Sequence, residues 1–148
     1  MTKQGAYVLY IDVKLPLTLD VGSLGKVFLP AGRYAYVGSA RIGIASRIAR
    51  HRRLAVQKTG KLHWHIDWLL TNPHAHLAGE VMLEGGIECN ISKQIALIKG
   101  VTVPVPGFGA SDCRSRCKAH LYLLPGSELA LKHPPVKADS SRLPAMMP

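Results

Sequence analysis

The stretch from Gly32 to Arg53, GRYAYVGSARIGIASRIARHRR, constrains the fold of this chain more than any other. Tyr34–Val37 alternates Tyr34 and Tyr36 with the small or apolar Ala35 and Val37, the period of two expected of a strand. Gly38, Ser39 and Ala40 are small, so the backbone can bend tightly and a ligand can approach it closely. From Ile44 the apolar residues fall at 44, 45, 48 and 49, a helical stripe, with Arg47 and His51 four apart on another face. A tyrosine strand thus runs through a small turn into a helix that offers guanidinium and imidazole side by side. That pairing suits an anionic phosphate group.

Read in order, Ala6–Asp12 is a strand, and Lys14–Gly25, with Pro16, Gly22 and Gly25, is a loop. Lys26–Pro30 and Arg33–Gly38 read as a hairpin turned by Pro30-Ala31-Gly32. The arginine helix spans roughly Ile44–Val56, with Gly60 as its terminator. His63–Leu70 reads as a short buried helix that Asn72-Pro73 stops, Ala75–Leu83 as a strand, and Glu88–Leu97 as a helix. Val101–Val105 is a short strand, Pro106–Asp112 a glycine-rich loop, and His120–Leu124 a closing strand. These elements predict a fold of the α/β (α+β) class, a small antiparallel sheet flanked by helices, over residues 1–124. From residue 125 to 148, five of the ten prolines and no periodicity predict a flexible tail.

Charge narrows the partner. Lys and Arg number nineteen against nine Asp and Glu, a net charge of +10. Arg41, Arg47, Arg50, Arg52, Arg53, Lys58 and Lys61 fall in one block that holds no acidic residue. A polyanion is the expected partner, nucleic acid ahead of acidic lipid, against the bland reading of a merely basic surface. No apolar run reaches membrane-spanning length, and the N-terminus lacks the apolar core of a signal peptide. Three cysteines do not make a disulfide framework, so a cytoplasmic protein with reduced thiols is expected.

Three fragments occur in order: Gly5-Ala6-Tyr7, Tyr36-Val37-Gly38, and Arg47 with His51. Together they resemble the GIY-YIG nuclease superfamily, the fold of several homing endonucleases and of an incising domain in nucleotide-excision repair. The likeness covers about Gly5 to Leu97 and is nearest to a small standalone branch. It implies a metal-dependent endonuclease with Tyr7, Tyr36, Arg47 and His51 as catalytic residues and Mg²⁺, or Mn²⁺, held by Glu88; Glu80 and Glu84 are rivals for the metal. Arg47 would bind the non-bridging phosphate oxygens. The general base is either Tyr7, with Tyr36 positioning the water or sharing the role, or His51 as base or proton relay; a phenol of pKa ~10 needs the metal and Arg47 to lower it. Arg41, Arg50, Arg52, Arg53, Lys58 and Lys61 would track the nucleic-acid backbone, DNA ahead of RNA and a structural feature ahead of a long sequence. A protein partner could supply targeting. The rivals are a non-catalytic nucleic-acid-binding module and a small interaction domain.

Each residue also has a plainer reading. Tyr7 and Tyr36 can be packing residues, Arg47 a solvated helix charge, and Glu88 a carboxylate favoured by a helix N-terminus. Ala6 and Val37 stand where the motifs carry Ile, residues 12–26 lengthen the spacing, and the terminal asparagine of many members has only Asp112 as a nearby polar counterpart. His63, His65 and Asp67 form an H-x-H-x-D pattern, but residues two apart on a helix diverge, so His65 and Asp67 are expected as polar partners in a tryptophan-rich core. Cys113, Cys117 and His120, with Cys89 as a fourth, offer a structural zinc set, disfavoured because zinc pairs usually recur more cleanly.

Overall fold

A computed structural model describes residues 5–110, 113 and 117–126. Asp112 and all of the expected tail beyond residue 126 lie outside these described residues. Strands β1 (Gly5–Val13), β4 (Gly32–Ala40), β5 (Ala75–Glu84) and β6 (Leu121–Leu123) form an antiparallel sheet in the order β5-β1-β4-β6. Strands β2 (Leu17–Val21) and β3 (Gly25–Leu29) form a separate ribbon, and helices α1 (Ile44–Gln57), α2 (His65–Leu70) and α3 (Glu88–Ala96) complete the fold. The class is α+β, as the alternation and helical stripes predict.

β1 is buried along its whole length because both faces of the sheet are covered. Tyr7, Leu9, Ile11 and Val13 on β1, with Tyr34 and Tyr36 on β4, meet α1, α2 and the ribbon in one core. The alternate residues Ala6, Val8 and Tyr10, with Ala35 and Val37, pack against Ile91 and Ile95 of α3 in a second core. Successive strand residues point to opposite faces, so one continuous apolar strand feeds two cores. Asp12 and Arg33 face each other across β1 and β4 in a buried bidentate ion pair, which pins the register at that end of the sheet.

Three expectations are corrected. The hairpin of residues 26–30 with 33–38 does not form: β4 pairs over nine residues with β1, from Gly5↔Ala40 to Val13↔Gly32, and five-residue β3 pairs with β2 instead. A nine-residue β1 needs an equally long neighbour, and only β4 and β5 provide one. The expected loop 14–25 therefore contains β2, which buries only its end residues Leu17 and Val21 and so gives a weak apolar signal. Residues 101–105 make an isolated bridge, Thr102↔Leu123, rather than a strand, because Pro104 and Pro106 have no N–H for a ladder.

Helix α1 ends at Gln57, one residue past its expected bound, and its terminator is Lys58 rather than Gly60. Lys58 adopts the left-handed conformation at its C-cap, with φ 61°, and its amide donates to Leu54 O. Its ammonium donates to Leu70 O and Ala75 O, tying the end of α1 to the end of α2 and the start of β5. Those bonds offset the strain of a non-glycine residue with positive φ. Among the described residues no helix is long and apolar enough to cross a membrane.

Candidate active site

The pairing of β1 with β4 sets Tyr7 opposite Gly38, and the Tyr7 ring lies directly over that glycine. A Cβ on Gly38 would collide with the ring and hydroxyl of Tyr7. The glycine of the Tyr36-Val37-Gly38 fragment thus has a steric reason: it makes room for the tyrosine of the first fragment. Tyr36 sits two residues earlier on the same face, its ring edge-on to Phe108 at 6.4 Å. Gly109, at φ 71°, takes a backbone conformation that favours glycine, and a Cβ there would press on the Tyr36 ring at 2.9 Å.

These rings open onto a cavity of about 490 Å³. Its walls come from several parts of the chain, among them Tyr7 from β1, Tyr36 and Gly38 from β4, Arg47 from α1, Trp64 and His65 at the start of α2, Glu88 at the start of α3, and Gly109 and His120 from the stretch before β6. Tyr7, Tyr36, Arg47 and Glu88, far apart in the chain, are thereby brought together. Glu88 is the acidic residue lining the cavity among the described residues. Glu80 is occupied by an ion pair with Arg52, and neither Glu80 nor Glu84 lines the cavity.

His51 lies behind the wall rather than on it. It is buried, its Nε2 is 2.7 Å from the Tyr7 hydroxyl, and its Nδ1 has no hydrogen-bond partner among the described residues. Burial pushes its pKa down to about 4, with Arg50 and Arg47 acting in the same direction and Asp67 opposing them. His51 is therefore neutral at neutral pH. Burial also pushes the Tyr7 phenol well above its ordinary value near 10, although Arg47 beside it pulls the other way. Tyr36 is raised by burial too. The lowering that a Tyr7 base would need, from the metal and Arg47 together, meets an opposing rise from desolvation that outweighs Arg47.

Arg47 lies over the Trp64 ring, its Cζ 4.2 Å from the centroid, and donates to Ser39 O at 3.1 Å. Arg50 packs on the same indole at 4.7 Å and makes a bidentate ion pair with Asp67, at 2.9 and 3.0 Å. Asp67 is fully buried and also accepts from the amides of His63 and Trp64, at 2.7 and 2.9 Å, capping α2. Burial alone would raise its pKa, but Arg50 and the two amides hold it below the usual carboxylate range. His65 Nδ1 accepts from Gly109 N–H at 2.9 Å, fixing the glycine-rich loop against α2. Asp67 thus takes the His63 amide and Arg50 while the His65 ring takes Gly109, and among the described residues the three side chains share no ligand point.

The basic block divides in two. Arg50, Arg52 and Lys58 are paired with Asp67, Glu80 and the carbonyls of Leu70 and Ala75, Arg52 at the surface. Arg41, Arg53 and Lys61 are exposed. Arg53 and Lys61 line a second hollow of about 340 Å³, shared with Arg50 and Trp64, so the indole edges both cavities. Sequence reasoning missed Trp64 as a site residue; its signal was an aromatic side chain just after a helix rich in arginine. It also missed the role of Asp67 as the anchor of that indole's neighbours.

Fold and site together define an α+β protein whose central strand pair carries two buried tyrosines at the floor of an arginine-walled cavity. The chain belongs to the family described as a domain of unknown function, DUF123, whose sequence model matches residues 6–135. Searches of curated proteins and of solved structures each return no significant match.

Proposed function

We propose that this protein is a divalent-metal-dependent endonuclease that hydrolyses phosphodiester bonds in nucleic acid, structured DNA ahead of RNA, in the reducing environment of the cytoplasm. The observation that carries the reading is the convergence of Tyr7, Tyr36, Arg47 and Glu88 on one cavity, with His51 hydrogen-bonded behind Tyr7. Packing alone accounts for buried tyrosines, but it does not account for a carboxylate and a guanidinium facing the same hollow. The resemblance to GIY-YIG nucleases belongs to this proposal and is supported by the way the two glycine-tyrosine fragments meet across β1 and β4.

The donor set fits Mg²⁺ or Mn²⁺. Glu88 is half-buried at the rim of a cavity with room for water, and Mg²⁺ asks for one or two carboxylates while keeping most of its hydration shell. The chemistry such an ion supplies when bound is polarisation of the scissile phosphate and stabilisation of the departing 3′ oxygen. The chain's own residues do the rest. The guanidinium of Arg47 holds the non-bridging oxygens as charge builds on them. The Tyr7 oxygen takes a proton from the attacking water as its own proton passes to His51 Nε2 over the existing 2.7 Å bond. The water oxygen forms the new bond to phosphorus, the bond to the 3′ oxygen breaks, the leaving oxygen is protonated by solvent, and the proton held briefly on His51 returns through Tyr7 to solvent, which restores the neutral ring. This relay needs no resting phenolate, which suits a tyrosine whose burial disfavours one. Tyr36 packs beside the relay and positions the water.

A non-catalytic nucleic-acid-binding module is the second reading, favoured by the hollow that Arg53, Lys61 and Trp64 line apart from the tyrosines. The test is cleavage of labelled single-stranded, duplex, flapped and branched DNA, and of RNA, with Mg²⁺ and with Mn²⁺. Cleavage by the native protein that Arg47→Ala and Tyr7→Phe each reduce by about 10²-fold or more, with binding retained, supports the reading. Salt-sensitive binding without cleavage in either metal moves the conclusion to the binding module. Cleavage unchanged in both variants refutes the site.

A further inference from the structure

Beside the cavity the fold gathers a second set of chemically active groups. Cys89 comes from the first turn of α3, while Cys113, Cys117 and His120 precede β6 in the chain. The Sγ atoms and a ring nitrogen of these four residues all lie within 4.8 Å of one another. Cys89 Sγ is 3.3 Å from Cys113 Sγ and 3.9 Å from His120 Nε2. Tetrahedral zinc with Zn–S near 2.3 Å sets its donor atoms roughly 3.5–3.8 Å apart. Among the described residues this is the one group of three or more potential ligands that share a point.

We propose that Cys89, Cys113, Cys117 and His120 form a structural zinc site of the Cys₃His type. The C-x₃-C-x₂-H spacing with Cys89 as a fourth argued only weakly for a metal; the fold brings Cys89 on α3 up to the other three. The three cysteines are half-buried rather than dispersed in a core, so burial of small apolar groups does not account for their meeting. Four protein ligands leave no open position, which marks a structural rather than a catalytic zinc.

The histidine carries the second observation. Its ring is buried, with Nε2 toward the thiols and Nδ1 facing Glu88 Oε1 at 3.4 Å, close to it but short of a well-formed hydrogen bond. A carboxylate on the far nitrogen of a ligating histidine is the recurrent outer partner of zinc sites, fixing the ring's orientation and tautomer. The rest of the backbone is already tied down around it. His120 N–H donates to Phe108 O, Val37 N–H donates to His120 O, and Ser92, three residues beyond Cys89 on α3, donates to Ala119 O. Zinc would complete this staple between the start of α3 and the lead-in to β6. Cys113 and His120 line the large cavity with Glu88, so the staple would also hold that carboxylate at the rim. The zinc site stands on its own geometry and does not require that the cavity cleave anything.

Metal content of the full-length protein tests this directly. Protein purified under reducing conditions without chelator, from zinc-supplemented cells, should carry ~1 zinc per chain, released when a mercurial reagent titrates the thiols. Metal-stripped protein titrated with Co²⁺ should saturate at ~1 ion per chain and develop the thiolate charge-transfer and tetrahedral d–d absorption of a Cys₃His centre. In Cys89→Ser/Cys117→Ser, zinc should fall below roughly a tenth of that stoichiometry; His120→Cys, which keeps four ligands, should retain it. No zinc in the native protein and no saturable Co²⁺ spectrum after reduction would overturn the proposal. So would zinc that persists in the double variant, iron in place of zinc, or a Cys89–Cys113 disulfide found by alkylation and mass analysis. All these readouts are independent of nuclease activity, so a failed cleavage assay leaves them intact.

Discussion

Acidification below neutral pH should destabilise this protein through His51, and the size of the effect follows from its surroundings. The ring is 1% exposed, its Nε2 is committed to Tyr7, and its Nδ1 has no hydrogen-bond partner among the described residues. A second ring proton would place a charge away from water, near Arg47 and Arg50, with only Asp67 opposing them. Folding therefore lowers the pKa to about 4 from an ordinary value near 6.5. Between those two values the unfolded chain binds a proton that the folded chain refuses, so stability rises with pH and is lost as pH falls from ~6.5 toward ~4. With each pH unit in that window worth ~1.4 kcal/mol, the loss from about pH 7.5 to about pH 5 is ~2 kcal/mol. Urea unfolding followed by tryptophan fluorescence across that range measures it, with His51→Gln as the reference. Glutamine keeps a polar tip near Tyr7 but does not titrate, and every other titrating group is common to both proteins and cancels. Native stability should fall ~2 kcal/mol further than that of the variant. Parallel pH profiles would refute a buried neutral His51, and with it the proton acceptor of the proposed relay.

Gly38→Ala drives a methyl group into the Tyr7 ring and should lower stability by about 1–3 kcal/mol in thermal or urea unfolding, with a matching loss of any activity that needs Tyr7 in place. Asp67→Ala removes a buried carboxylate on which half-buried Arg50 and two amides converge and should destabilise by about 1.5–3 kcal/mol; a change under ~1 kcal/mol would mean that Asp67 is not the anchor of α2. If nucleic acid binds along the exposed basic face, Arg53→Ala and Lys61→Ala should each reduce the slope of log affinity against log salt by ~1. Arg52→Ala, whose side chain is paired with Glu80, should leave that slope nearly unchanged.

The elements with strong local periods were legible in the sequence, and the pairings between them were not. The arginine helix, the helix opening at Glu88 and the strand from Ala75 each carried a period of its own, and each formed within a residue or two of its expected bounds. The partner of β4 was misjudged because the Pro30-Ala31-Gly32 turn made the nearest strand look like its neighbour. Which strand pairs with which is decided by matching lengths and by contacts such as Asp12 with Arg33, and no local window contains those. The site divides in the same way. Tyr36, Arg47 and His51 lie within one short stretch and could be singled out together, while the neutral state of His51 is a property of burial that spacing does not encode. Cys89 was separated from its companions by an entire helix and loop, so the spacing of Cys113, Cys117 and His120 undervalued them. Glu88 and Cys89 are neighbours in the sequence, but only the fold brings Cys89 to Cys113, Cys117 and His120 while Glu88 lines the cavity. That adjacency is the physical link between the two sites: any ligand that fixes Cys89 also fixes the position from which Glu88 reaches the cavity.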